Sequence, residues 1–297
     1  VGWPVVSVGN LSAGGAGKTP LTIALAKLLR ERGVHVDVLS RGYGRASKMA
    51  ARVSPEGTAA EFGDEPLLIA CAAQVPVYVA AQRYEAGMLA EAEYVREAGV
   101  SCVHLLDDGF QHRQLARDVD ILLLNGEDWQ DTLLPAGNLR EARSAARRAS
   151  VLAIPAEDAA FEDELRAWGW SGPVWRLRRA MEMPSVTGPV FAFCGIARPE
   201  QFFDGLEAAD MNLAGQKAFA DHYDYTEHVV EWLVEQARRA NAAALVTTEK
   251  DAVRLGVLTE QFPADLPLRT AVLTTSIDNE AAAMDWLLNR LIASRPV

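Results

Sequence analysis

The stretch "SVGNLSAGGAGKTP", Ser7 to Pro20, restricts the fold more than any other part of the chain. It joins an apolar run, "PVVSVG" (Pro4 to Gly9), to a segment with Leu21, Leu25, Leu28 and Leu29 at i, i+4, i+7 and i+8. That spacing makes one apolar helix face, which Gly33 ends. A strand, a glycine-rich turn and GKT opening a helix leave unpaired backbone N–H groups facing a phosphate. Ser12, Ala13, Gly14, Gly15, Ala16 and Gly17 would cradle it, Lys18 would neutralise its terminal charge, and the Thr19 hydroxyl would bind Mg²⁺. Ser12 stands where the G-x-x-x-x-G-K-[ST] pattern begins with glycine, while Gly14, Gly15 and Gly17 still allow close backbone approach. A loop of this kind names a phosphate donor and leaves the acceptor open.

Apolar runs alternate with helix-period segments along almost the whole chain, which predicts an α/β fold: a phosphate-loop α/β/α sandwich with a mostly parallel sheet. The strand candidates after the first are "VHVDVLS" (34–40), "VPVYVA" (75–80), "CVHLLDD" (102–108), "VDILLL" (119–124) and "VLAIP" (151–155). The pattern breaks over "WRLRRAMEMPSVTGP", where basic residues, prolines and a glycine suit a connector or short hairpin. It restarts at "VFAFCG" and runs through helix, "AALVTT", "LRTAVLTT" and a last helix. The expected organisation is a kinase-type domain over 1–175, a connector over 176–189, and a smaller α/β domain over 190–297. The 297 residues are 49% hydrophobic and 23% charged, ordinary for a globular protein, and the net charge of −11 argues against a general nucleic-acid binder. Cys71, Cys102 and Cys194, far apart and set in apolar runs, read as buried thiols of a reducing compartment. No run of about 18 apolar residues suits a spanning helix, and no secretory signal pattern is present.

"CVHLLDDGFQH" places Asp107 and Asp108 at the carboxyl end of a strand, where parallel α/β sheets present ligands and a phosphate-loop enzyme completes its Mg²⁺ shell. If the strand continues, the two carboxylates point to opposite faces and have different roles. His112 would pair with Asp108 if the segment turns helically; otherwise Asp and Gly here mark a capped turn. In "FGDEPLLIA", Asp64 is either a helix N-cap ahead of Pro66 or a catalytic carboxylate, and the two are compatible. "LSRGYGR" brings Arg41, Tyr43 and Arg45 to a glycine-rich turn, donors for an anionic or sugar ligand. "LLPAGNLREARSAARR" sets Arg140, Arg143 and Arg147 at helical spacing, one of them suited to charge developing in phosphoryl transfer and the rest to a solvated face.

Together these residues resemble the tetraacyldisaccharide 4'-kinase family, the lipid A 4'-kinases of Gram-negative bacteria. "VGNLSAGGAGKTP", "LSRGYGR", "GDEPLLIA", "LLDDGFQHRQLARDVDILLL", "LLPAGNLRE", "FCGIARPEQFF", "FADHYDYT" and "VTTEKDA" occur in the order expected. The resemblance implies ATP- and Mg²⁺-dependent phosphorylation of the 4'-hydroxyl of a tetraacylated glucosamine disaccharide 1-phosphate, giving lipid IVA. It implies two α/β/α domains with the site in the cleft between them, acting peripherally at the cytoplasmic face of the inner membrane. Members carry a partly apolar segment ahead of the first strand that is not in the sequence from Val1. Carried over by position, Lys18 and Thr19 hold ATP and Mg²⁺, and Asp107 or Asp108 belongs to the metal shell. Asp64 takes the proton from the sugar hydroxyl with help from His222, which it meets only if the second domain closes over the first. Arg140, Glu141, Gln111 and His112 line the phosphoryl site, and Glu249 to Asp251 are offered as contacts to the base.

Two other readings use the same donor loop. A kinase or synthetase of a small soluble metabolite would have a small closed acceptor pocket in place of an apolar groove. A nucleotide-dependent switch or metallochaperone would hydrolyse slowly and give the Asp64 and His222 pair no role.

Overall fold

The computed structural model of the chain describes residues 1–14, 17–95 and 99–293. In chain order the elements are β1 (Val5–Asn10), α1 (Lys18–Glu31), β2 (His35–Ser40), β3 (Ala51–Arg52), α2 (Ala59–Phe62), α3 (Asp64–Ala73), β4 (Val77–Val79), α4 (Arg83–Glu93), β5 (Cys102–Asp107), β6 (Val119–Leu123) and α5 (Gly126–Gln130). They continue with β7 (Val151–Pro155), α6 (Ala159–Ala167), β8 (Val174–Glu182), β9 (Val190–Cys194), α7 (Pro199–Ala208), β10 (Leu213–Ala218), α8 (Glu227–Arg239), β11 (Ala244–Thr248), α9 (Glu249–Leu255), β12 (Leu268–Ile277) and α10 (Glu280–Ala293).

The chain divides into two compact units, and the division departs from the expected boundaries. The first unit is Val1–Gly57, Glu65–Arg179 and the stretch from Thr275; the second is Thr58–Asp64 with Ala180–Thr274. No hairpin fills 176–189, because β8 runs through its first half as a single strand. Trp175 and Leu177 point inward and Arg176 and Arg178 outward there, a period-2 pattern that the arginines disguise as a polar connector. The last helix returns to the first unit, where Trp286 meets Trp175 edge-on.

The first unit's strands lie in the order β8-β7-β6-β1-β5-β2-β4-β3, all parallel except β3, which is antiparallel to β4. The register sets Val5 beside His104, Ser7 beside Leu106 and Gly9 beside Leu122, so Val5, Leu106 and Leu122 share one face. Ala86 and Ala90 of α4 cover that face at Leu106, and Phe161 and Leu165 of α6 cover it at Leu122. Val6, Val8, Leu105 and Ile121 point the other way and are equally buried, as a parallel sheet between two helical layers requires. Helix α1 buries Leu21, Leu25 and Leu29 of the stripe read from the sequence, leaves Leu28 half-buried, and stops at Gly33 with φ of 72°.

The second unit's strands lie in the order β10-β9-β11-β12, also parallel. Thr226 caps α8 by accepting from Val229 N, and Val230, Leu233 and Ala237 pack with Phe193 and Leu245. The cysteines are free thiols; Cys102 and Cys194 are buried as expected, whereas Cys71 is exposed on α3.

Gly9, next to last in β1, is required by close approach. A Cβ there would lie 2.5 Å from Phe110 Cβ and 2.9 Å from Phe110 N, and Phe110 is wholly buried. Backbone cannot yield as a flexible side chain does, so Gly9→Ala is expected to destabilise the protein by about 1–3 kcal/mol, read as a lower urea midpoint.

Candidate active site

The loop after β1 is braced from two sides. Asn10 Nδ2 donates to Ser12 Oγ at 2.9 Å, and Ser12 Oγ donates to Asp128 Oδ2 at 2.6 Å. Asp128 is itself held by Asn125, the cap of α5. Ser12 is therefore a buried hydrogen-bonding post where the usual pattern has glycine. On the other side "LLPAGNLRE" runs against the loop: Ala13 N donates to Asn138 O and Arg140 N to Leu11 O, both at 2.7 Å. Gly14 and Gly17 take φ of 105° and 86°, the left-handed region that glycine adopts without strain. Gly15 and Ala16 lie outside the described residues.

Lys18 opens α1 with its Nζ 3.0 Å from Asn10 Oδ1 and 3.5 Å from Asp108 Oδ1. Thr19 is buried beside it. Arg179, near the carboxyl end of β8, lies over Gly17, where a Cβ would sit 2.4 Å from its Nη2. Arg179 falls within the connector expected over 176–189, where the sequence offers it no role.

Asp107 and Asp108 do have different surroundings, though not by strand alternation. β5 stops at Asp107, and Asp108 turns into the left-handed region with φ of 48°. Asp107 stays buried and accepts from Thr22 Oγ1 at 3.1 Å. Burial, then the charges of Glu65 and Asp108, push its carboxyl up to about 7. Asp108 meets Arg140 Nη1 at 3.0 Å and Lys18; burial alone would raise its pKa, but these two cations outweigh it and hold the carboxyl below the usual range. Gln111 ties the same group together, accepting from Arg140 at 3.4 Å and donating to Asn10 O at 2.9 Å.

His112 does not pair with Asp108, whose carboxylate goes to Lys18 and Arg140. Its Nε2 is buried and has no hydrogen-bond partner among the described residues. Burial and the charges of Arg83, Arg117 and Arg41 lower its pKa. Arg83, at the head of α4, is 7% exposed; among the described residues its Nε has no hydrogen-bond partner, and its Nη1 donates to Ala81 O at 3.5 Å. Burial and the charge of Arg41 lower its pKa in turn, against the pull of Asp108 and Asp107. Arg83 is thus a buried guanidinium with spare donors, close enough to the exposed Arg41 and half-buried His112 to act on both electrostatically. Only Arg41 and His112 of this group were singled out in the sequence, since Arg83 sits in an ordinary helical stretch.

The remaining arginines differ from the expected solvated helix. Residues 143–148 form a 3₁₀ turn that excludes Arg140. Arg143, Arg147 and Arg148 lie over the rings of Trp129, Trp168 and Phe110 at 5.7, 4.2 and 4.6 Å. Glu141, expected at the phosphoryl site, pairs with Arg148 at 3.0 Å, while both it and Arg140 line one shallow depression.

In the second unit Asp64 and His222 meet directly, His222 Nδ1 lying 2.9 Å from Asp64 Oδ2. No closure of one domain over the other is needed, because Thr58–Asp64 belongs to the second unit. Helix α2 begins with a Thr58–Glu61 capping box and ends at Gly63 with φ of 88°, which turns the chain so that Asp64 heads α3. Arg254, which sequence reading passed over, donates to the same Asp64 oxygen from Nε at 2.9 Å and Nη2 at 2.6 Å. Burial raises the Asp64 pKa, and the charge and hydrogen bonds of Arg254, then His222 and Lys250, more than reverse it. Asp251 is fully buried under Arg254, Tyr225 and Thr248, so it holds this network and is not placed to touch a base.

The chemistry of the first unit suits Mg²⁺. A hydroxyl and carboxylate oxygens are hard donors, and a divalent cation would offset the charges of Glu65 and Asp108 that, after burial, raise the Asp107 pKa. In metal-free buffer the folded state takes up this proton above the unfolded value of 3.8, so stability should fall as pH rises from about 4 through 7. Urea titrations at several pH values are expected to show Asp107→Asn lacking that slope, which amounts to as much as about 4 kcal/mol.

A family model, LpxK, described as tetraacyldisaccharide-1-P 4'-kinase, matches residues 1–292. The tetraacyldisaccharide 4'-kinase of Koribacter versatilis is 42% identical over 296 residues, covering 96% of this chain and 88% of the relative. That of Desulfotalea psychrophila is 35% identical over 316 residues, covering 98% and 87%. The solved structure of LpxK from Aquifex aeolicus in complex with ATP superposes with a TM-score of 0.77 at 32% identity, covering 98% of this chain and 89% of that one. With the whole length matched and the phosphate loop, paired aspartates and Asp64–His222 contact in place, the chain belongs to the tetraacyldisaccharide 4'-kinase family.

Proposed function

We propose that the two units divide the family's reaction, with the first unit handling the donor phosphates of ATP and the second the acceptor 4'-hydroxyl of a tetraacylated glucosamine disaccharide 1-phosphate. The observation that carries this reading is the Asp64–His222 contact at 2.9 Å, a buried carboxylate paired with an imidazole, for which a hydrolytic switch has no use. Loop N–H groups and Lys18 bind the terminal phosphates, and Arg140 and Arg179 flank them. Thr19 with Asp107 or Asp108 would hold Mg²⁺, which when bound neutralises phosphate charge. The acceptor oxygen attacks the γ-phosphorus, the bond to the β,γ-bridging oxygen breaks, and ADP leaves. The hydroxyl proton passes to Asp64. A carboxylate held below its ordinary pKa is a weak base, which suffices because in a loose transition state the nucleophile keeps its proton until late, and position counts more than basicity. Arg41, Arg83 and His112 supply the wall that holds a phosphoryl group beside Asp108.

Peripheral association with an acidic lipid surface accounts for a second feature. Tyr84 and Met88 are exposed one turn apart on α4, and Met49 and Tyr43 are exposed on the preceding basic loop with Arg45 and Lys48. Lys48 O accepts from Ala81 N, which brings that loop to the head of α4. Apolar tips ringed by cations fit a headgroup layer. No helix among the described residues is long and apolar enough to cross a membrane.

Two measurements test these readings. Transfer of labelled γ-phosphate from ATP to the detergent-dispersed lipid acceptor should fall at least ~100-fold in Asp64→Asn with ATP affinity retained; wild-type transfer in that variant would exclude Asp64 as the proton acceptor. Sedimentation with vesicles containing phosphatidylglycerol should weaken in the triple variant Met49→Ser, Tyr84→Ser, Met88→Ser, and unchanged sedimentation would remove this surface from the proposal.

A further inference from the structure

We propose that Arg254 is a positioning residue for Asp64, fixing the carboxylate's orientation and keeping it ionised for the acceptor hydroxyl. The inference rests on the reading of Asp64 given above and extends it to a residue that sequence motifs did not mark. Arg254 sits in the last turn of α9, six residues after the Thr248 cap, 6% exposed at its side chain, and both Nε and Nη2 converge on Asp64 Oδ2. His222 Nδ1 reaches the same oxygen, and Arg254 Nη2 lies 3.4 Å from that nitrogen. One guanidinium edge therefore grips the same carboxylate oxygen that His222 meets.

The other edge is anchored to the unit's core. Arg254 Nη1 donates to Gly195 O and, at 3.2 Å, to Asp251 Oδ1. Asp251 in turn accepts from Gly195 N at 3.0 Å, Tyr225 OH at 2.9 Å and Thr248 Oγ1 at 2.6 Å. A carboxylate at the head of α3 is thus tied to the end of β9, to β11 and to α9 through one planar side chain. Geometry of this kind needs the guanidinium fork; a lysine ammonium would keep the charge and lose the two-sided bridge. The charged groups around the pair are Arg254 and Lys250 from α9, His222 and Asp221 from the turn after β10, and Asp251 beneath; Asp221 stands 3.9 Å from Arg254 Nη2.

Without Arg254, burial would dominate and raise the Asp64 pKa, so less of the enzyme would hold the carboxylate form at low pH. The test is the pH profile of kcat for lipid phosphorylation in the full chain, comparing wild type, Arg254→Met, Arg254→Lys and Asp64→Asn. Arg254→Met should move the acid limb upward by about one to three pH units, with KM for ATP unchanged. Arg254→Lys should return the limb to its wild-type position while recovering only part of kcat. If the methionine variant does not fold, Arg254→Gln, which keeps a donor without the charge, reads the same limb. An acid limb unmoved in the uncharged variants overturns the positioning role. Loss of activity in Asp64→Asn together with that unmoved limb leaves the base assignment standing, whereas wild-type activity in Asp64→Asn overturns both.

Discussion

Two adjacent carboxylates at the end of a buried strand cannot both remain buried and ionised, and the arrangement of the first unit follows from how the chain resolves this. β5 ends at Asp107, and the left-handed turn at Asp108 sends the second carboxylate to Lys18 and Arg140. Asp107 remains inside against Thr22 with a raised pKa. Lys18 can meet Asp108 because the loop before it is pinned through Ser12 to Asp128, and Arg140 can do so because its own backbone is paired with Leu11. The close passage of Gly9 under Phe110 keeps β1 and the Asp108 turn at the distance these contacts require. Packing and charge neutralisation thus specify the same loop.

The second unit uses the opposite balance. Its carboxylate, Asp64, is buried but overcompensated by Arg254 and His222, so its pKa is lowered where that of Asp107 is raised. The chain thus holds one buried acid whose burial outweighs its cations and one whose cations outweigh its burial.

Much of this was legible in the sequence where a local pattern carried it. The phosphate loop, α1 and most central strands follow from alternation, glycine placement and the 3.6-residue period, signals that depend only on near neighbours. The pairing of Asp64 with His222 was legible only by resemblance, since nothing local links two residues so far apart. Arg83, Arg179, Arg254 and the structural task of Asp251 escaped because a charged residue in a helix or strand looks solvated until the fold shows what it faces. The β8 strand and the short excursion of Thr58–Asp64 escaped for a related reason: their assignment depends on which unit they pack with, and composition does not encode that.

That excursion bears on how the protein is made. The segment carrying Asp64 is synthesised about 190 residues before Arg254, the side chain that holds it, and the first unit is completed only when α10 arrives. At ribosomal speeds of roughly 5–20 residues per second, Asp64 waits ten seconds or more for its partner. The chain must keep an acidic, glycine-hinged turn without this partner until α9 has been made.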